Sequence, residues 1–263
     1  ATGGSGTRVI HGVLEKAGLF MGAKAKLNHA GDAMDVEPML DAFINPILSA
    51  TNSLDYVASA LPTALATAAL RDLALGVDRF LRDMPNGDMP WGWKNPRSMY
   101  VLPLIRELFS DIRFIHLIRD GRDMATSDNQ NQPRKHFEAL FGHALEESDP
   151  LGSIQLWAAA NLAIANWGER HLGSQYLCVR FEDLCANPVA GVTRILNFAG
   201  FEEIADQSIR DIAEEFVTPP ASLGRWRALD ASVATALAAR GADALSHFGY
   251  SDELPVKLAD GDI

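Results

Sequence analysis

Apolar positions in the first part of the chain follow a helical period. In Val9-Ile10-His11-Gly12-Val13-Leu14-Glu15-Lys16-Ala17 the apolar residues at 9, 10, 13, 14 and 17 share one helical face. The glycines of Ala1-Thr2-Gly3-Gly4-Ser5-Gly6-Thr7-Arg8 form a loop that opens this helix. Residues 21–35, rich in Gly, Asn, His and Asp, read as a loop. Residues 36–84 are Ala- and Leu-rich with helical spacing, interrupted near Pro46 and Pro62, and Pro85-Asn86-Gly87-Asp88 ends them as a turn. A short strand at 89–94 leads into a helix over 98–109, where Pro103 predicts a kink or a late start.

The period changes at Ile112-Arg113-Phe114-Ile115-His116-Leu117-Ile118-Arg119. This β-branched and aromatic run stops at the charged turn Asp120-Gly121-Arg122-Asp123, which reads as a buried strand, a tight loop and a helix starting near Arg122. Residues 128–150 are polar and irregular, with a short amphipathic stretch around 137–145. A long helix over 151–171 and a buried strand over 175–181 follow. Asn187-Pro188 caps a helix that Gly200 closes. Segments 204–216 and 231–248 are helical. Strands alternating with helices imply α/β architecture, a central parallel sheet covered on both faces. With no repeat or low-complexity linker, residues 1–263 are expected to form one domain, its first strand reduced to Ala1-Thr2 or absent.

Composition narrows the class. Hydrophobic residues make up 48% and charged residues 22% of 263, ordinary for a soluble globular protein. Lys plus Arg total 23 against 34 Asp plus Glu, a net charge of −11, which disfavours nucleic acid or a heparin-like glycan as partner. Cations are then expected to gather locally around an anionic ligand. Cys178 and Cys185 have no metal-ligand spacing and read as thiols. No apolar run approaches the ~20 residues of a bilayer span, and no signal-peptide pattern opens the chain. A reduced, cytoplasmic setting is expected.

Two segments carry phosphate chemistry. Backbone N–H groups at the start of the first helix are unpaired and bind anions. The Lys-Ser/Thr pair of an ATP-binding P-loop is replaced here by Thr7-Arg8. Arg119 ends the first buried strand, at the sheet edge where open α/β folds bind ligands. Ser127 lies eight residues on, about one turn into the next helix. A guanidinium fork beside a hydroxyl matches phosphate oxygens.

Together these segments resemble the sulfotransferases that use 3′-phosphoadenosine 5′-phosphosulfate (PAPS). Ser5-Gly6-Thr7 is similar to that family's 5′-phosphosulfate loop, and Arg119 with Ser127 to its 3′-phosphate motif. Trp93-Lys94-Asn95-Pro96 resembles its Lys-x-Pro segment. Val179-Arg180-Phe181-Glu182-Asp183-Leu184 resembles its Arg-Tyr-Glu-Asp-Leu strand, and Leu223-Gly224-Arg225-Trp226-Arg227 its Gly-basic-Trp segment. The resemblance implies a P-loop-like three-layer fold and sulfuryl transfer to a hydroxyl or amine of a small-molecule, glycan or peptide acceptor, without a metal.

It also implies roles. Gly4, Ser5, Gly6, Thr7 and Arg8 surround the 5′-phosphosulfate, while Arg119 and Ser127 meet the 3′-phosphate. Phe181, where the family usually has Tyr, packs near the adenine, and Arg225 and Trp226 close over the adenosine from a C-terminal loop. Lys94 faces the sulfuryl group or bridging oxygen. Gly4 stands where the family often has a cation, so Arg8 or Lys94 is expected to compensate. Arg97 reads as a salt-bridged surface arginine. No histidine follows Lys94, so the general base is expected in the acidic loop 28–37, Asp35 before Asp32, with His136 and His143 as fallbacks. The acceptor pocket is expected from 38–90 and 128–150. Two other readings stay open: a P-loop nucleotide or small-molecule kinase, and a nucleotide-binding protein without turnover.

Overall fold

Gly6, left-handed at φ 90°, releases the chain into α1 (Thr7–Lys16), which buries Ile10, Val13 and Leu14 as the sequence pattern predicts. The computed structural model describes residues 4–146 and 149–250. Ala1, Thr2 and Gly3, where the reduced first strand is expected, lie outside the described residues, as do Glu147 and Ser148. Beyond the 21–35 loop come α2 (Glu37–Thr51) and α3 (Thr63–Leu81). Pro46 lies inside α2 and does not interrupt it. An interior proline costs about 3 kcal/mol. Against this, α2 buries Met39, Leu40, Ile44, Ile47 and Leu48, each contributing about 1.5–3 kcal/mol, so packing prevails. Pro62 does mark a boundary, as the N-cap of α3.

The strand expected at 89–94 reduces to one parallel bridge, Phe20 with Trp91. The Pro90 carbonyl accepts from Phe20 N at 2.9 Å, and Gly92 N donates to Phe20 O at 3.0 Å. Pro90 has no N–H with which to extend a ladder. A 3-10 turn, Pro96–Val101, precedes α4 (Leu102–Leu108), so Pro103 marks a late start and no kink.

β1 (Phe114–Ile118) pairs in parallel with β2 (Tyr176–Arg180), Phe114 opposite Tyr176 and Ile118 opposite Arg180. Between them run α5 (Gly121–Ala125), α6 (Asn131–Phe141) and α7 (Pro150–His171). After β2 come α8 (Phe181–Ala186), α9 (Pro188–Ala199), α10 (Asp206–Phe216), α11 (Ala231–Arg240) and α12 (Ala242–His247). Ile115, Leu117, Leu177 and Val179 face a cluster built with α1, α9 and α10. On the other face, Ile118 packs with Trp157 of α7 and Leu245 of α12, and His116 Nε2 meets Asn161 Oδ1 at 2.9 Å. Burial of the His116 ring lowers its pKa to about 3, so the imidazole is neutral.

Helices therefore cover both faces, but the sheet has two strands among the described residues. The protein is a mostly helical α/β structure with a small parallel sheet, so the expected central parallel sheet is present only as this two-stranded pair. The largest core is helical, gathering Leu40, Ile44, Leu73, Phe80, Leu104 and Leu156. Three further elements differ from the sequence pattern. Helix α6 runs from Asn131, before the stretch read as amphipathic, and ends at Gly142. Helix α8 starts directly after β2, and the helix expected over 231–248 splits at Gly241. Among the described residues no helix is long and apolar enough to cross a membrane. Both cysteines are free thiols.

Candidate active site

The glycine loop is shaped by one aromatic ring. Gly6 packs so closely on Phe181, the first residue of α8, that a Cβ on Gly6 would lie 2.4 Å from the ring. Gly4 (φ 87°) faces Met124 and Ser127, its Cβ position 3.7 Å from Ser127 Oγ. Ser5 is 1% exposed and its Oγ has no protein partner. No side chain caps α1 and no acid occupies its first turn, so its N-terminal N–H groups keep their positive field. Gly6→Ala combines a backbone strain with a clash and is expected to lower stability by at least about 2 kcal/mol. Gly4→Ala, strained but unobstructed, should cost less. Urea denaturation checks both, and equal midpoints would show that the loop reshapes freely around Phe181.

The loop at 28–32 is an Asx turn. Asn28 Oδ1 accepts from Ala30 N (2.8 Å) and Asp32 N (3.0 Å), and Asn28 Nδ2 donates to Asp32 Oδ2 (3.0 Å). Ala33 N donates to Lys94 O at 2.9 Å, which brings Asp32 beside the Lys94 side chain. Lys94 Nζ donates to Asp32 Oδ1 and to the Ala30 carbonyl, both at 2.5 Å. Lys94 is 7% exposed. Burial lowers its pKa from the ordinary lysine range, the hydrogen bond and charge of Asp32 oppose that, and Arg8 adds to it.

At the carboxyl end of β1, Asp120 accepts from Arg122 N as the N-cap of α5 and holds the Arg122 guanidinium through both carboxylate oxygens. Gly121 is required by closeness, since a Cβ there would meet the Trp157 ring at 2.4 Å. Trp157 Nε1 donates to the Arg119 carbonyl at 3.1 Å. Arg119 itself pairs with Asp123 Oδ2 at 2.9 Å and donates to the Ser222 carbonyl, leaving Nε without a partner. Asp123 also accepts from Gly224 N (2.7 Å) and Trp226 N (3.1 Å). One buried carboxylate thus ties the arginine to the 222–226 loop. That loop aims Arg225 back at the Thr126 carbonyl, 3.3 Å away.

These segments enclose a cavity of about 550 Å³ at the carboxyl ends of β1 and β2. Of the residues singled out in the sequence, Gly4, Gly6, Thr7, Arg8, Asp32, Lys94, Arg119, Phe181 and Arg225 line it. Six cations (Arg8, Lys94, Arg97, Arg119, Lys135, Arg225) face two carboxylates (Asp32, Glu37), in a chain whose net charge is −11. The remaining candidates stand elsewhere. Ser5 is buried behind the loop, and Ser127 lies beyond the end of α5, next to Gly4. Trp226 is not a lid. It is 2% exposed with the Arg122 guanidinium 3.6 Å above its ring, because Asp123 pulls its backbone inward. Asp35 does not line the cavity. Its carboxylate lies 3.4 Å from Lys26, and its carbonyl accepts from Arg79. The preference between the two acids therefore reverses, and Asp32 is the one beside Lys94.

Asn95, Asn129, Asn131, Gln132 and Ser222 also line the cavity, with no site role expected of them from the sequence. Only position along the chain signalled them: Asn95 follows Lys94, and 129–132 fall in the segment expected to meet the acceptor. Arg97 is salt-bridged as expected, to Asp41 with Glu37 at 4.0 Å, but it is largely buried against the cavity. The fallback histidines do not reach it. His136 is bonded to Asn45 and burial lowers its pKa to about 4, while His143 is exposed.

A family model described as the sulfotransferase family matches residues 6–206 of the 263. The chain belongs to that family. No curated protein and no solved structure matches it. The matched span of this sulfotransferase opens on Gly6 and ends at the first residue of α10. It thus carries Lys94, Arg119, Ser127 and Phe181, whereas the 218–225 wall of the cavity lies beyond it.

Proposed function

We propose that this cavity binds PAPS and that the protein transfers its sulfuryl group to a hydroxyl or amine of an acceptor. The observation that carries the reading is convergence. A glycine loop opening a helix, a buried lysine and a buried arginine meet in one cation-rich cavity where two parallel strands end. The glycine loop and its helix are the P-loop-like part of the fold. The donor set fits the group. Arg119 lines the cavity and its Nε is buried without a protein partner, and an anionic oxygen would satisfy it at little cost.

When bound, the donor supplies a sulfuryl group activated by its anhydride link to phosphate. The chain's own residues do the rest. The N–H groups opening α1 hold the 5′-phosphosulfate oxygens, Arg119 and Arg225 hold the nucleotide phosphate, and the Phe181 ring walls the purine. Asp32 takes the proton from the acceptor as its oxygen or nitrogen bonds to sulfur. Lys94 faces the bridging oxygen, which keeps the electron pair of the broken S–O bond and leaves on adenosine 3′,5′-bisphosphate. Thr7-Arg8 in place of Lys-Ser/Thr speaks against ATP as donor.

Calorimetry tests the donor. Adenosine 3′,5′-bisphosphate is expected to bind at least tenfold tighter than adenosine 5′-phosphate, since charge-assisted contacts contribute on the order of 1.5–3 kcal/mol each. Equal affinity for the two nucleotides would sink the assignment.

A further inference from the structure

Contacts divide the cavity wall into two arcs of different character. In the first, Gly6 meets Phe181, Arg119 reaches Ser222, and Arg225 returns to Thr126. Among the described residues its cations Arg8, Arg119 and Arg225 have one bonded carboxylate, Asp123. That excess suits a nucleotide carrying several negative charges. The second arc joins the 28–37 loop, residues 94–97 and the start of α6. Here Lys94 is bonded to Asp32, while Arg97 and Lys135 are both bonded to Asp41, with Glu37 4.0 Å from Arg97. Asp41 stands outside the lining, but with it three cations are paired to three carboxylates, so this arc carries little net charge.

The second arc is also polar. Asn28, Asn95, Asn129, Asn131 and Gln132 line it with Glu37, and no Phe, Tyr, Trp, Leu, Ile or Met does so among the described residues. Carboxamides both donate and accept, as hydroxyl groups do. Asn95 is the most telling of them. It is 8% exposed, its Oδ1 caps Arg97 N at 3.0 Å, and its buried Nδ2 has no partner in the protein. A flat apolar acceptor would leave the Asn95 Nδ2 desolvated and unpaired. An anionic one would meet cations already neutralised.

We infer that the acceptor is an uncharged, polyhydroxylated molecule, a neutral saccharide or cyclic polyol, held by the carboxamides of this arc. The inference rests on the sulfotransferase reading of the same cavity, and the experiment separates the two.

Transfer of labelled sulfuryl from PAPS is measured to neutral disaccharides and inositol, to 4-nitrophenol, and to glucuronate-containing disaccharides. The best neutral sugar or polyol is expected to exceed the phenol and the uronate at least tenfold in kcat/KM. Asn95→Asp keeps the cap and removes the free N–H, and Asn131→Ala changes an exposed position. Each is expected to raise the acceptor KM roughly tenfold with the affinity for adenosine 3′,5′-bisphosphate unchanged. Preference for the phenol or the uronate, no transfer to any neutral saccharide or polyol, or unaltered KM in both variants overturns the inference while nucleotide binding stands. Failure to bind adenosine 3′,5′-bisphosphate overturns the donor reading and, with it, this one.

Discussion

Lys94→Ala is expected to lower kcat by ~10²–10³-fold, with a much smaller change in affinity for adenosine 3′,5′-bisphosphate. The reason lies in where the ammonium is held. Two acceptors, Asp32 Oδ1 and the Ala30 carbonyl, fix Nζ in a largely buried position before any ligand arrives. A cation placed in advance in a largely buried position acts most strongly on charge that develops during reaction, and the bridging oxygen becomes anionic only then. Ground-state binding instead draws on the α1 terminus, Arg119 and Arg225, which remain. Removing Lys94 also leaves the Asp32 carboxylate half-buried with Asn28 alone, so Lys94→Gln is a useful second variant that keeps a donor there. Single-turnover rates and calorimetry decide the matter. Lost nucleotide affinity with kcat unchanged would make Lys94 a binding residue only.

Several parts of the site were legible because their signals are local. The stripe 9, 10, 13, 14 predicts α1 and hence the glycine loop opening it. The β-branched run ending at Arg119 places that residue at a strand's carboxyl end, where the structure has it. Asn187-Pro188 and Gly200 delimit α9, although Asn187 bonds Gly191 N through its backbone carbonyl, with no side-chain cap. What stayed hidden depends on residues far apart in sequence. Lys94 and Asp32 lie 62 residues apart, and Asp123 gathers Arg119 with a loop about 100 residues on. Composition alone does not separate Asp32 from Asp35. The Asx turn of Asn28 does, by turning one carboxylate into the cavity while the other meets Lys26.

Trp226 shows the opposite hazard. A Gly-basic-Trp segment reads as a ligand clamp, yet the tryptophan is the floor on which Arg122 stacks. The alternation Arg119-Asp120-Arg122-Asp123 held a usable hint. Two acids so close to two arginines at a strand end pair off, Arg119 with Asp123 and Arg122 with Asp120. Arg119 therefore offers a ligand only the remainder of its donors, including Nε. Its pairing lowers the net charge it presents but fixes its direction.

Asp32→Asn is expected to reduce turnover by ~10²–10⁴-fold while adenosine 3′,5′-bisphosphate still binds. The amide keeps the shape of the carboxylate and can still accept from Lys94, but it cannot take a proton from the acceptor. Asp32 has a second effect that the pH profile separates from the first. Burial lowers the pKa of Lys94, and the bond and charge of Asp32 oppose that fall. With the charge gone, Lys94 should lose its proton at lower pH than in the parent protein, and the alkaline limb of the profile should move down. If Asp32 only held Lys94 in its charged form, lowering the pH would restore turnover in the variant. If Asp32 is the proton acceptor, turnover stays low at every pH, which is the result expected. Asp35→Asn supplies the contrast. Its carboxylate meets Lys26 outside the cavity, so that variant should turn over at close to the parent rate. Near-normal turnover of Asp32→Asn at neutral pH would remove the carboxylate from the chemistry and leave the acceptor to ionise unaided beside Lys94.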